Sequence, residues 1–111
     1  MNEVIFSKGD FTLMYKKGVG LHDTPWEGLE VISAGDAEKH VVEVRLDAAR
    51  YGNFEGTPVK FMYTNVYVSH GMRMTADTLE ETLEYIEVLK QAVEFAREVK
   101  FYCKENGWWS E

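Results

Sequence analysis

The sequence predicts an α+β protein in which an antiparallel meander of five to six strands is covered by one long C-terminal α-helix. Two observations carry this. Apolar and polar side chains alternate with a period of two through the first two-thirds of the 111 residues, and the period changes to 3.6 after residue 76. No Gly or Pro then interrupts the chain until Gly107. The length suits a single domain, 1–111, divided into a sheet (1–76), a helix (77–107) and a tryptophan-containing tail (108–111).

Taken in order, Glu3 to Ser7 and Phe11 to Lys16 flank Lys8-Gly9-Asp10, which reads as a hairpin turn. Phe11, Leu13 and Tyr15 share one face of the second strand. Leu29 to Ala34 forms a third strand, ended by Gly35-Asp36. A helix from Asp36 to Arg50 is conceivable, but the Val42-Glu-Val-Arg-Leu46 alternation favours a fourth strand from His40 to Leu46. Val59 to Ser69 is the longest strand. Phe61, Tyr63 and Tyr67 are expected on one of its faces, and Met62, Thr64, Val66 and Val68 on the other. The Gly-rich stretches around Pro25 and Pro58 read as loops.

The helix opens on Asp77 as N-cap with Glu80 three residues on, and Gly107 is its natural stop. Spanning about 78 to 106 at 1.5 Å per residue, it measures roughly 43 Å. A compact domain of this size has a radius of gyration of roughly 13 Å, so the helix must overhang or pack against something outside the chain. Its apolar arc is near 200°, wider than one sheet face requires. Leu79, Leu83, Ile86, Leu89, Val93 and Ala96 form one stripe. Tyr85, Val88, Ala92, Phe95, Val99 and Tyr102 form a second, which is assigned to self-association as a homodimer. Glu80, Glu84, Glu87, Gln91, Glu94, Glu98 and Glu105 line the opposite face, edged by Lys90, Arg97 and Lys104.

Charge follows this division. The chain carries 12 Lys and Arg against 19 Asp and Glu, a net −7. Residues 77–111 hold nine acidic and four basic side chains, so most of the excess belongs to the helix. A pI near 5.0 argues against binding a nucleic-acid backbone or an anionic membrane, both of which reward clustered Lys and Arg. No run approaches a spanning helix and no apolar leader opens the sequence, so a cytoplasmic protein without a membrane role is expected. The single cysteine, Cys103, fits a reducing compartment and reads as a small buried hydrophobe.

Catalytic chemistry is sparse. His22, His40 and His70 are far apart in sequence, and no His-x-x-x-His or Cys-x-x-Cys occurs, so no metal and no cofactor are expected. Gly18-Val-Gly20 lacks the third glycine and the following helix of a dinucleotide fingerprint. His22-Asp23 is the one adjacent pair with catalytic character, and it reads better as a polar loop tip. No catalytic residue is assigned.

The acidic residues Glu80, Glu84, Glu87, Glu94 and Glu98, with Trp26, Trp108 and Trp109, are the candidate partner-binding set. Carboxylates recurring at i,i+4 mildly destabilise a helix, and Trp is enriched among interface anchors. Trp108 and Trp109 have a second expected fate, folding back to close the core. The expected function is a non-enzymatic protein-binding module that docks on a basic protein surface, in the style of small acidic phage or mobile-element inhibitors of nucleic-acid-handling machinery. In outline the element order is similar to the pleckstrin-homology barrel with its capping helix, to helix-grip ligand folds, and to strand-helix dimers that bind single-stranded DNA. The last two supply alternatives: a small molecule held between sheet and helix, or a nucleic-acid-binding dimer with Lys8, Lys16, Lys17, Arg45, Arg50 and Lys60 on one sheet face.

Overall fold

A computed structural model describes residues 2–19, 23, 25–48, 61–68 and 79–109. The elements are β1 (Asn2–Lys8), β2 (Phe11–Val19), β3 (Pro25–Ser33), α1 (Gly35–Lys39), β4 (Val42–Ala48), β5 (Phe61–Val68) and α2 (Leu79–Glu105). The protein is α+β with a long C-terminal helix, as expected. The strands do not form one meander. Among the described residues β1, β2 and β3 make one antiparallel sheet, and β4 and β5 make a second.

The split has a local cause. The segment expected to join the third and fourth strands directly contains α1, so the early part of the weighed 36–50 helix exists and the rest is strand. The chain leaves α1 through Val41, whose φ of +53° is left-handed. A β-branched residue adopts that region only under constraint. Beyond that turn Val42 and Val44 are buried on the core face of β4, which pairs with β5. The N-terminus of α1 is secured from the first hairpin. The Ala37 N–H donates to Asp10 Oδ2 at 3.2 Å, and the Ala34 N–H to the Asp10 carbonyl at 2.9 Å. Gly35, at φ +56°, lies so close that a Cβ there would come within 2.8 Å of Asp10 Oδ1.

The hairpin at Gly9-Asp10 forms with Lys8 opposite Phe11, and Gly9 takes the positive φ that a Gly-first two-residue turn demands. The next connection is shorter than expected. Pro25 and Trp26, assigned to a loop, pair with Val19 and Gly18 as the start of β3. Pro is tolerated there because the first residue of a strand need not donate to the ladder. The predicted faces of β5 also need correction. Asp47 is opposite Tyr63 and Ala48 opposite Phe61, so β5 carries a bulge at Met62. The extra residue puts Phe61 in the core with the side of the ladder that holds Val44 and Val66, while Tyr63 and Tyr67 are exposed on the other face. Val59, Lys60, Ser69, Pro58, Arg50 and Asp77, the expected N-cap, lie outside the described residues.

The core is built where α2 meets both sheets. Phe95 is fully buried, with ring centroids 5.4 Å from Phe6 and 5.6 Å from Phe11. Leu13, Val42, Val99 and Cys103 are also fully buried. Phe11, Leu13 and Tyr15 share the inner face of β2, as their spacing predicts.

α2 ends in a glycine C-cap. Gly107 has φ +78°, and the Trp108 N–H returns to the Cys103 carbonyl at 2.8 Å. That reversal sends the tail back onto the sheets. The Phe61 N–H donates to the Trp108 carbonyl at 2.8 Å, and Trp109 forms a parallel bridge with Phe61. The Trp108 ring lies 6.4 Å from Tyr15 of β2 and 6.4 Å from Phe61 of β5, so one side chain touches both sheets.

Two substitutions test these backbone assignments by urea denaturation. Gly107→Ala forces a Cβ into the left-handed region and should lower stability by about 1–2 kcal/mol. Val41→Asn replaces an exposed side chain at a left-handed position with a residue that accepts it, and should raise stability by up to about 1 kcal/mol.

Candidate interaction surface

α2 has 27 residues and spans about 40 Å. Its buried positions are Tyr85, Val88, Ala92, Phe95, Ala96, Val99 and Cys103. These are largely the stripe assigned to self-association. Tyr85, Val88, Ala92, Phe95 and Val99 are covered by the chain's own sheets, and Tyr102 is half-buried against Phe6. The assignment of that stripe to a second copy is therefore corrected: it is core.

The first stripe, in contrast, mostly faces outward. Leu79 is 59% exposed, Leu83 66%, Ile86 43% and Val93 42%, and Phe101, further along, is 67% exposed. At 100° per residue these five side chains fall within an arc of about 80°, on the side of α2 opposite Phe95 and Val99. Lys90 and Arg97, expected at the edge of the acidic face, instead occupy the same arc as these apolar residues. The order Leu79, Leu83, Ile86, Lys90, Val93, Arg97 alternates steps of four and three, which is the spacing of a coiled-coil seam.

A residue-level signal for this was present in the sequence. The inner stripe combines large aromatics with Ala92, Ala96 and Cys103, a mixture that lets a helix approach a sheet closely. The outer stripe is interrupted by Lys90 and Arg97, charges that a packed core would exclude. Charge interruption marks the outward side better than apolar count does.

The acidic margin lies along one side of this seam, and Glu80, Glu84, Glu87, Glu94 and Glu98 are all exposed. The sheets neutralise part of it. Lys8 Nζ is 3.2 Å from Glu98 Oε1 and 3.3 Å from Glu94 Oε2. Those two glutamates hold the Lys8 ammonium above its ordinary range, the Glu98 hydrogen bond foremost. Lys39 Nζ lies 3.3 Å from Glu84 Oε2, and the buried His40 Nε2 lies 3.5 Å from the same oxygen. Hydrogen bonding from Lys39, then its charge, then His40 hold the Glu84 carboxyl below its ordinary value. Glu80 and Glu87 stand outside these ion pairs. Glu84, Glu94 and Glu98 thus already serve to clamp α2 to the β1 turn and to α1.

The remaining candidates are dispersed. Trp108 and Trp109 are half-buried against the core, and Lys100 Nζ sits 5.3 Å above the Trp109 ring. Trp26 has its backbone in β3, and its side chain lies outside the described set. Lys16 pairs with Glu30 within the three-stranded sheet, and Arg45 pairs with Glu43 on the other sheet at 2.7 Å. With Lys8 turned to α2, these cations do not converge; Arg50 and Lys60 lie outside the described residues. His22 and His70 also lie outside them, and Asp23 is exposed. Cys103 is buried, and burial pushes its thiol up to about 11.

Phe11, Phe95, Leu13 and Val99 occupy the space between sheet and helix where a small ligand was considered. An open cleft of about 630 Å³ lies beside Phe6, Arg97, Phe101 and Tyr102, and another of about 330 Å³ lies away from α2, between Val31, α1 and β4. Among the described residues no group of three or more His, Cys, Asp or Glu side chains is placed to hold a metal ion, and no helix is long and apolar enough to cross a membrane.

The fold and surface together define a small two-sheet protein with one two-sided helix. Comparison with known proteins finds no matching family model, no matching curated protein and no matching solved structure.

The Glu84 contacts give a pH test. A carboxyl whose folded pKa is lowered stabilises the folded state above its unfolded value, and that stabilisation is lost as pH falls through the folded value. Glu84→Gln should therefore lower the melting temperature slightly at pH 7. The gap between wild type and variant should close as pH drops below the ordinary 4.5. A gap unchanged at pH 3 would mean that the ion pair does not contribute.

Proposed function

We propose that this chain is a non-enzymatic protein-binding module whose working surface is the outer side of α2. The observation that carries the reading is the exposed stripe of Leu79, Leu83, Ile86, Val93 and Phe101 on a helix whose other side is fully used in the core. Single exposed apolar residues need no explanation, but an aligned series along one helix is the form of a helix-docking surface. Its apolar residues supply contact area. The margin at Glu80 and Glu87 sets the sign of the partner, favouring basic groups beside the apolar contact and repelling acidic ones.

This refines the expected acidic docking surface. Glu84, Glu94 and Glu98 have intramolecular roles, so Glu80 and Glu87 are the carboxylates best placed to meet a partner. An inhibitor that occupies a basic surface of nucleic-acid-handling machinery is one role such a module suits, and the binding would weaken as salt screens its rim charges.

The test is copurification of the full-length tagged chain from the organism that encodes it, comparing wild type with the double variant Leu83→Lys, Ile86→Lys. Val4→Lys serves as control, because Val4 is equally exposed on β1 at 58%. The expected result is a protein recovered in near-stoichiometric amount by wild type and by Val4→Lys, and reduced at least ~10-fold with the double variant. Equal recovery by the double variant overturns the reading.

A further inference from the structure

The outer seam of α2 carries its own complementary charges. Lys90 and Arg97 lie within the apolar stripe, and Glu80 and Glu87 lie along its margin. Within one helix these groups are not brought together as ion pairs. Laid against an antiparallel copy of the same helix, they match. A two-fold axis level with the step between Val88 and Leu89 brings Glu80 opposite the second copy's Arg97. The same axis brings Glu87 opposite the second copy's Lys90. A single register therefore satisfies both pairs, and the symmetry repeats each of them.

We propose that α2 pairs through this outer seam with α2 of a second copy of this chain, antiparallel, in that register. The proposal rests on the reading of the outer side of α2 as a docking surface, and the basic groups that Glu80 and Glu87 select are here Lys90 and Arg97 of the second copy. Apolar contacts follow from the same axis. Leu83 comes within one residue of the level of Val93 of the second copy, Ile86 within one residue of the stem of Lys90, and Leu79 within one turn of Phe101. The Lys and Arg stems cover apolar surface while their charged ends reach the glutamates at the margin. A parallel pairing would instead stack Lys90 on Lys90 and Arg97 on Arg97, placing like charges together in the seam. The two-fold sets the two acidic margins on the same side of the pair, where Lys90 and Arg97 lie between them and each chain's Lys8 sits beside Glu94 and Glu98 at 3.3 and 3.2 Å.

A single helix pair is a small interface, so assembly is expected in the micromolar range. Sedimentation equilibrium on the full chain at about 100 µM should give a mass near twice 12.8 kDa. Two charge variants then test the register. Variant one carries Glu80→Lys and Glu87→Lys; variant two carries Lys90→Glu and Arg97→Glu. All four positions are exposed on α2, and circular dichroism checks that each variant folds. Each variant alone should self-associate at least ~10-fold more weakly than wild type, and an equimolar mixture should recover the dimer. A monomeric wild type overturns the proposal. So does a dimer indifferent to variant one, which is the outcome for parallel pairing or for another surface. The broader module reading fails separately: if wild type is monomeric while the Leu83→Lys, Ile86→Lys variant still loses a copurifying protein, only the self-pairing is lost.

Discussion

Everything in this molecule depends on the contact between the inner stripe of α2 and two sheets that, among the described residues, share no hydrogen-bonded ladder. A three-stranded and a two-stranded antiparallel sheet each bury one face, and neither is large enough to form a stable core alone. Phe95 packs on Phe6 and Phe11 of the first sheet. Val42, Val44 and Phe61 complete the same core from the second. The glycine C-cap at Gly107 extends the arrangement past the end of the helix. It delivers Trp108 between Tyr15 and Phe61, one ring from each sheet. Around this apolar contact the polar contacts act as fasteners. Lys8 reaches Glu94 and Glu98 from the first hairpin, Lys39 and His40 reach Glu84 from the α1 end, and Asp10 ties the hairpin to α1.

That constraint explains the two-sided character of the helix. Covering two sheets takes one stripe of α2, from Tyr85 to Cys103, and no described residue covers the opposite side, where Leu79, Leu83, Ile86, Val93 and Phe101 are exposed. Apolar residues persist there at the spacing of a helix-pairing seam, together with basic residues inside it and acidic residues beside it. A helix needed only for the core would carry polar residues on that side. That surplus is the surface on which the proposed interaction rests.

Much of the fold was legible in the sequence because its signals were local. Alternation marked all five strands near their observed positions, Gly9 marked the first hairpin, and the unbroken run to Gly107 marked α2. The misplaced features depended on single residues that break periodicity. Val41 takes a left-handed conformation at the start of the second sheet, and the Met62 bulge moves Phe61 to the opposite face of β5. The bulge changes the side of Phe61 alone, and neither residue has a propensity signature, since valine and methionine are common strand residues in ordinary geometry. The candidate surface was half legible. The surplus apolar arc on α2 was apparent, but counting apolar residues chose the wrong half of it. The positions of Lys90 and Arg97 held the information, because a buried stripe does not accept charge.

The most direct test of the central claim, that α2 unites two otherwise separate sheets, is native-state hydrogen exchange resolved by residue. If the account holds, core amides of β2 around Leu13, of β4 around Val44 and of α2 around Phe95 exchange with one common opening free energy, equal to that of global unfolding. Exchange of either sheet by an opening that leaves α2 and the other sheet protected would contradict it.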